Sequence, residues 1–430
     1  MERVVEEPDE EIRGHVPAVE DEILPDHRCY IQFPFSILFS TLLYCAEVAS
    51  ALYIFDIYRK NNDVFWMSFT IGFTIVGAVL DQLCLMFFHK DWNRYKYLLL
   101  VGHILLLGPV VRCLQNSIHY HRVLRRLDQV KKISQISIRR RRMIIEREIV
   151  HTLHGAFLQC KAYYCMSVIQ AFLSSIPQLT LQLYITLTIR EWPVERAWLM
   201  AFSLVSITYG AIHCNILAMQ IKYDNNFKLH TVQFICIMFW RCLEITSRVV
   251  TLVLFIASLK LRSLPFLLVT FSISLLAPWV EFWINRSHFP TKTNINAKPM
   301  GRELMLIVIT LLHASIDFFC WSGVKLKLSS EELVDKTHKG SNKTFHYSIR
   351  LVENVMMILV FKFTDGKSLL NCCDSLIATQ VIITYLLAIG FMLLFYQYLQ
   401  PGWSGSSLPD QTEEINLNQS NVASTKETSQ

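Results

Sequence analysis

Residues 233–259, QFICIMFWRCLEITSRVVTLVLFIASL, form an apolar stretch long enough for an α-helix to cross the roughly 30 Å hydrocarbon core of a bilayer. Arg241, Glu244 and Arg248 interrupt this stretch at spacings that place all three side chains on one face of a helix. Each charge would cost several kcal/mol if it faced lipid at the bilayer centre. We therefore predict a membrane helix whose charged face is turned toward protein or water.

Nine further apolar stretches accompany this one along the 430-residue chain. Hydrophobic residues make up 52% of the chain and charged residues 18%, and the mean hydropathy is +0.33. That balance exceeds what a soluble domain needs to fill its core, so we predict an all-α polytopic membrane protein. The ten stretches are 33–58, 64–88, 97–118, 161–189, 197–221, 233–259, 264–284, 302–321, 345–363 and 369–399.

The loop at 119–160 is strongly basic and contains four consecutive arginines at 139–142. The positive-inside rule places such a loop in the cytosol. We interpret its charge as a topology determinant or a contact with anionic lipid, and we expect no nucleic-acid partner. Three crossings from a cytosolic N-terminus would place it outside. The stretch 97–118 contains Gly108, Pro109 and Arg112, which are typical of a broken or re-entrant helix. We predict that this stretch re-enters; an N-terminus outside the cell is the alternative.

The second half of the membrane region resembles the first. YCAEVAS matches RCLEITS, which aligns Glu47 with Glu244, and FTIVGAVLD matches ISLLAPWVE, which aligns Asp81 with Glu281. The ten stretches then divide five and five, so we predict two pseudo-repeats, each with four spanning helices and one re-entrant helix. Under this scheme Asp317 lies in the second re-entrant element, and the sequon at Asn342 lies in the cytosol, where it stays unglycosylated.

The predicted organisation has eight transmembrane helices, two re-entrant helices and cytosolic termini. Its segments are an acidic cytosolic tail at 1–32, a first membrane repeat at 33–221 with the basic cytosolic loop at 119–160, a second membrane repeat at 233–399 and a disordered cytosolic tail at 400–430.

Ionisable residues inside the apolar stretches are the candidate functional residues. One interpretation is that they form structural ion pairs that fix helix register. The other is a polar track along which a lipid headgroup moves while its acyl chains stay in hydrocarbon. The residues of this predicted polar track are Glu47, Asp81, Arg112, Arg241, Glu244, Arg248, Glu281, Asp317 and Glu353.

Common sequence motifs of soluble enzymes do not occur in the chain. It contains no phosphate-binding loop, no G-x-S-x-G turn and no dinucleotide fingerprint, and its twelve cysteines show no zinc-binding spacing. We therefore predict no catalytic residue, no metal and no cofactor, and we do not expect an enzyme.

Several segments resemble the XK-related membrane proteins. The segment SVIQAFLSSIPQLTLQLYI at 167–185 is the most specific, with Gln170, Pro177, Gln178 and Gln182 as the motif residues. The chain is nearer to the founding member, XK, than to the shorter apoptotic scramblases. The other matching segments are FPFSILFSTLLYCAE at 33–47, LLLGPVVRCL at 105–114, TYGAIHCNILAMQIKYD at 208–224, RCLEITSRVV at 241–250 and FMLLFYQYLQP at 391–401.

The resemblance implies eight spanning and two membrane-dipping helices, cytosolic termini, a place in the plasma membrane and, in several relatives, phospholipid scrambling. The apoptotic relatives are activated by caspase cleavage of the C-terminal tail. Asp410 in SLPDQ lacks an acidic residue three positions earlier, so we do not expect caspase activation of this chain.

In the founding member a cysteine just before the last span forms a disulfide to the Kell glycoprotein, and Cys373 in LLNCCDSL resembles it. The predicted topology also places Cys373 outside, where disulfides form. An unpaired Cys373, or a link to Cys372 or another outer cysteine, is the alternative. The resemblance further implies a second kind of partner, a cytosolic lipid-transfer protein.

Three hypotheses follow. The first is an ATP-independent phospholipid scramblase, whose partners are the membrane phospholipids themselves. The second is an accessory subunit that escorts a single-span membrane partner through Cys373. The third is a solute transporter, which intramembrane carboxylates and repeats also permit.

Overall fold

The computed structural model describes residues 33–88, 101–102, 105–133, 162–222, 229–286, 299–329, 334–335, 341–365 and 374–399. Within these residues the chain forms ten main helices. The helices are α1 (Phe33–Lys60), α2 (Val64–Phe88), α3 (Gly108–Ile133), α4 (Ala162–Ile189), α5 (Val194–Lys222), α6 (Thr231–Leu259), α7 (Leu264–Ile284), α8 (Pro299–Phe319), α9 (Ser341–Asp365) and α10 (Asp374–Leu394).

Six helical segments among the described residues are long and apolar enough to cross a membrane, and one of them runs through both α6 and α7. Large apolar side chains such as Phe35, Ile273 and Leu386 are exposed on the outside of the bundle. Exposure of such a surface to water is unfavourable, whereas a bilayer covers it with acyl chains. The prediction of an all-α membrane protein is confirmed. The count of eight spanning and two re-entrant helices, the pseudo-repeats and the segment boundaries stay predictions.

Helix α6 lies at the centre of the bundle and packs against α4, α5, α8, α9 and α10. Its buried residues include Trp240, Ile245 and Val249 along with the charged residues predicted from its sequence. Helix α1 packs against α2, α3 and α5, and α7 packs against α8. The charged face of α6 is therefore turned toward protein, as its spacing predicts.

Helix α4 contains a wide turn. Residues Ala171–Ser175 form a π-helical turn, and Pro177 follows at the start of the segment Ile176–Ile189. Proline lacks an N–H and clashes with the carbonyl four residues earlier, and a π-helical turn is one of the few ways a helix accommodates such an interruption. We attribute the wide turn to Pro177.

Two glycines let neighbouring helices approach this turn. A Cβ atom at Gly77 of α2 would lie 2.5 Å from the Cβ of Ser174, and one at Gly210 of α5 would overlap Ala171. The π-helical turn is thus held between α2 and α5 at distances that only glycine permits.

The helical structure is interrupted just before α3. Residues 101–102 are helical, Leu106 has a left-handed backbone with φ of 60°, and α3 then begins at Gly108 with Pro109 in its first turn. A break at this glycine and proline was predicted. Helix α3 continues to Ile133, however, so the first part of the segment predicted as the basic loop 119–160 is helical. Arginine and lysine lower hydropathy but are good helix formers, which explains the difference.

A short irregular segment follows α8. It contains the two-residue strand β1 (Lys325–Leu326), which pairs antiparallel with β2 (Val334–Asp335). This segment folds back toward α6, because the backbone of Trp321 hydrogen-bonds side chains of that helix.

Candidate functional site

The first polar cluster lies in the middle of α6. Arg241 Nη1 lies 2.8 Å from Glu244 Oε2, and no more than 3% of either side chain is exposed. Arg241 Nη2 donates to Asn215 Oδ1 of α5 at 2.5 Å and to the carbonyl of Trp321 at 2.7 Å. The N–H of Trp321 in turn donates to Glu244 Oε1 at 3.2 Å. This pair therefore links α5, α6 and the segment after α8.

Aromatic groups complete the surroundings of the pair. The Arg241 guanidinium lies 4.2 Å from the centre of the Trp240 ring. Trp240 Nε1 donates to the Tyr347 hydroxyl at 2.9 Å, and that hydroxyl also hydrogen-bonds Glu244. Such contacts stabilise a buried guanidinium and carboxylate that would otherwise be costly to remove from water.

The second cluster joins α6, α8 and α9 one turn further along. Arg248 donates to Glu353 Oε2 at 2.7 Å and to Asn354 Oδ1 at 2.7 Å. Arg350 donates to the same Glu353 oxygen at 2.6 Å and to the carbonyl of Asp317 at 2.9 Å. We call Arg248, Asp317, His346, Arg350, Glu353 and Asn354 the α6–α8–α9 cluster.

The α6–α8–α9 cluster is the more accessible of the two. The side chain of Glu353 is 20% exposed and that of Asp317 is 28% exposed, while Arg248 is 3% exposed. His346 Nδ1 lies 3.4 Å from Asp317 Oδ1. The cluster therefore has a buried end at Arg248 and an accessible end at Asp317.

The third cluster lies in the first half of the bundle and contains two buried carboxylates. Glu47 of α1 accepts hydrogen bonds from Ser175 and Ser203 at 2.9 Å each. Asp81 of α2 is 1% exposed, and its Oδ1 has no hydrogen-bond partner in the described part of the chain. Unlike Glu244 and Glu353, neither carboxylate forms an ion pair with a described basic residue.

Two residues of the predicted polar track form contacts other than those of the three clusters. Arg112 donates to Gln115 of its own helix at 3.2 Å. Glu281 at the end of α7 pairs with Lys325 at 2.8 Å, and both side chains are more than a third exposed. The structure thus brings seven of the nine predicted residues together in three groups. Their role as a track for a lipid headgroup stays a prediction.

The motif residues of α4 are buried. Gln182 accepts from the Tyr58 hydroxyl at 3.0 Å and donates to Thr70 at 3.2 Å, so it ties together α1, α2 and α4. The amide of Gln178 is buried, and neither of its polar atoms has a hydrogen-bond partner among the described residues. Gln170 faces the cavity beside Asp81. Three of the four motif residues thus carry amides inside the bundle, and the fourth is Pro177.

The neutral partners of the charges were not predicted. Asn215, Ser203 and Asn354 receive or supply hydrogen bonds that position the buried ions. A signal exists in the sequence, because these are polar residues inside otherwise apolar stretches. Their spacing alone, however, does not show which charge on another helix each one meets.

Cys372 and Cys373 lie outside the described residues, so the predicted partner disulfide is untested. Within the described ranges Cys113, Cys236 and Cys320 form no disulfide. In the same ranges no three His, Cys, Asp or Glu side chains lie together in a way that would hold a metal ion.

The geometry defines a multi-pass α-helical membrane protein with buried polar clusters at the centre of its bundle. The family model for XK-related proteins matches residues 35–401, so the chain belongs to the XK-related family. It is 37% identical over 380 residues to the endoplasmic reticulum membrane adapter protein XK of Pan troglodytes, covering 86% of this chain and 84% of that protein.

Two other relatives match shorter parts. The testis-specific, Y-linked XK-related protein of Homo sapiens is 45% identical over 142 residues, which cover 32% of this chain and 85% of that protein. The cell death abnormality protein 8 of Caenorhabditis elegans is 23% identical over 262 residues, covering 58% and 51% of the two chains. The predicted resemblance to the family is confirmed.

Proposed function

We propose that this XK-related protein exchanges phospholipids between the two leaflets of its membrane without ATP. The observation that carries the proposal is the α6–α8–α9 cluster. It places two arginines and two carboxylates together in the helical bundle, with Asp317 and Glu353 partly exposed.

The chemistry of this cluster matches that of a phospholipid headgroup. Guanidinium groups bind phosphate oxygens through charge-assisted hydrogen bonds, and carboxylates bind a cationic amine. A headgroup that crosses hydrocarbon alone loses its hydration, which is the main barrier to spontaneous exchange. Side chains that replace part of that hydration lower the barrier while the acyl chains stay in lipid.

Burial distinguishes this cluster from the first and third clusters. Glu47, Asp81, Arg241 and Glu244 are each at most 4% exposed, so a headgroup does not reach them in this conformation. We assign the headgroup contact to the accessible end of the α6–α8–α9 cluster. Phospholipid scrambling is also what the resemblance to the family implies.

A vesicle assay tests the proposal. Purified protein is reconstituted into phosphatidylcholine vesicles with a fluorescent phospholipid in both leaflets, and dithionite bleaches the outer leaflet. We expect bleaching beyond the outer-leaflet fraction, and we expect Asp317→Asn and Glu353→Gln to slow it about tenfold, because each removes one charged contact worth roughly 1.5 kcal/mol.

The matched control is Asp56→Asn on α1. Asp56 forms exposed pairs with Arg59 and Lys60 at 2.7 Å, and the change of carboxylate to amide is the same. Exchange by this variant should equal that of the unmodified protein. The proposal is refuted if the protein is correctly folded and the fluorescent lipid in its vesicles is bleached no further than in vesicles without protein.

A second candidate function is that of a membrane adapter. Relatives 37% identical to this chain are named as endoplasmic reticulum membrane adapter proteins. By this account the chain holds a single-span membrane partner through Cys373, or a cytosolic lipid-transfer protein through its cytosolic face. A relative's name places that protein in the endoplasmic reticulum, whereas we propose the plasma membrane for this chain.

Non-reducing electrophoresis of membranes tests the adapter function. A mixed disulfide that disappears in Cys373→Ser but persists in Cys372→Ser supports it. A monomer band that is the same with and without reductant argues against a covalent partner. Surface biotinylation of intact cells measures whether the chain reaches the plasma membrane.

A further inference from the structure

A small cavity lies in the first half of the bundle, between α1, α2, α4 and α5 and next to the start of α3. Its volume is about 20 Å³, which is room for one water-sized particle. The polar residues on its wall all carry oxygen atoms, and they are Ser40, Tyr44, Asp81, Tyr163, Ser167, Gln170 and Ser206.

Two acceptor atoms on this wall are unsatisfied. Asp81 Oδ1 and Gln170 Oε1 have no hydrogen-bond partner in the described part of the chain, and the residues are only 1% and 6% exposed. Unsatisfied buried acceptors are costly, so native structures supply them with a donor or a cation. Both atoms lack such a group among the described residues, and the two side chains belong to residues that line the same cavity.

The charge around the cavity is negative. Ser206, on the wall, also hydrogen-bonds Glu47, which brings a second carboxylate next to the cavity. The Tyr44 hydroxyl donates a hydrogen bond to the carbonyl of Leu106 at 2.9 Å. The lone pairs of the Tyr44 oxygen can therefore bind a ligand in the cavity. None of the described lysine, arginine or histidine side chains pairs with Asp81 or Glu47. In the second half, by contrast, Glu244 and Glu353 are paired with arginines.

Three particles could satisfy these atoms to different extents. A proton on Asp81 removes the charge but leaves the cavity without an occupant, so that the other oxygen atoms on its wall, such as those of Ser40 and Tyr44, have nothing to bind there. A single water satisfies both acceptors and leaves the charge uncompensated. A cation between them does both. Carboxylate, carboxamide and hydroxyl oxygens are ligands for hard cations, and a wall with one carboxylate suits a monovalent ion better than Ca²⁺.

We propose that the cavity lined by Asp81 and Gln170 binds one Na⁺ ion, stripped of its water, as a structural cation of the first half of the bundle. This inference goes beyond lipid exchange and does not depend on it. The ion would join the middle of α2 to α4 beside the π-helical turn, at the point where Gly77 lets the two helices touch.

The test is a thermal unfolding titration of the detergent-purified chain, with NaCl replacing choline chloride at constant ionic strength. The unfolding temperature of the unmodified protein should rise and then saturate with Na⁺, because the ion binds the folded state. Asp81→Asn should be insensitive to Na⁺, and should be more stable than the unmodified protein in choline. Gln170→Leu should shift the titration midpoint about tenfold higher.

The control is again Asp56→Asn, which should titrate like the unmodified protein. Equal unfolding temperatures in Na⁺ and choline, equal protection by K⁺, or a Na⁺ effect that persists in Asp81→Asn would each overturn the proposal. If Asp81→Asn does not fold, the K⁺ comparison and Gln170→Leu still decide. Because the readout is stability, failure of this proposal leaves the proposed lipid exchange untouched.

Discussion

Arg241 and Glu244 form an ion pair of 2.8 Å within a single turn of α6, and both side chains are almost entirely buried. The backbone of Trp321 contacts both partners, accepting from Arg241 and donating to Glu244. The pair therefore holds the segment after α8 against the central helix. Its contribution depends on both partners being present, because each alone would be an uncompensated buried charge.

We predict that Glu244→Gln destabilises the protein by about 3–5 kcal/mol, the usual cost of removing one member of a buried pair. The measurement is thermal unfolding of the purified chain, followed by tryptophan fluorescence. Asp56→Asn, in an exposed pair, should cost only about 0–1 kcal/mol. The double variant Arg241→Met with Glu244→Leu should be more stable than Glu244→Gln. A single variant as stable as the unmodified protein would contradict this account of the pair.

Gly77 provides a second prediction. Gly77→Ala places a Cβ atom against Ser174 at the π-helical turn and should lower the unfolding temperature. Gly72→Ala on the same helix meets nothing within 4 Å and should be neutral or stabilising by about 0.5–1 kcal/mol, since alanine favours helix over glycine. Equal effects of the two substitutions would show that α2 does not pack closely on α4.

Six helical segments of the described residues could be predicted because their apolar stretches are long enough to cross a bilayer. The stretch 233–259, for example, corresponds to α6 within two residues at its start. The ends could not be predicted as well where hydropathy and helix propensity diverge. Helix α3 shows this, because it continues through basic residues to Ile133 after its apolar part has ended.

The site could be predicted only within single helices. The spacing of Arg241 and Glu244 predicts that they face the same way, and the structure pairs them. The partners of Arg248 lie 105 and 106 residues away on α9, and periodicity carries no information about which helices meet. The wide turn in α4 was also missed, although Pro177 in an apolar stretch is a signal for it.

Tyr58 provides a third prediction. Its hydroxyl donates to Gln182, and Tyr58→Phe would leave the amide oxygen of that buried glutamine without this donor. The expected loss of stability is about 1–3 kcal/mol. Tyr53→Phe is the control, because Tyr53 is 57% exposed on the same helix. A loss no larger than that of the control would mean that the hydrogen bond between α1 and α4 contributes little.

The predicted topology concerns residues on both sides of the membrane. In the predicted scheme five crossings from a cytosolic N-terminus place the connector after α6 outside. In a Cys372→Ser and Cys373→Ser background, a membrane-impermeant maleimide should therefore label Leu261→Cys in intact cells. Arg140→Cys should be labelled only after the membrane is permeabilised, because the positive-inside rule places the basic loop in the cytosol. Labelling of both in intact cells would contradict this topology.

The sequon at Asn342 gives an independent measurement of the same topology. Asn342 lies in the first turn of α9, which the predicted arrangement places on the cytosolic side, where glycosyltransferases do not act. We expect Asn342→Gln to migrate like the unmodified chain, and glycosidase treatment to change neither. A glycosidase-sensitive band lost in Asn342→Gln would place this end of α9 outside. Since α9 carries Arg350 and Glu353, that result would also reverse the direction in which this part of the α6–α8–α9 cluster crosses the membrane.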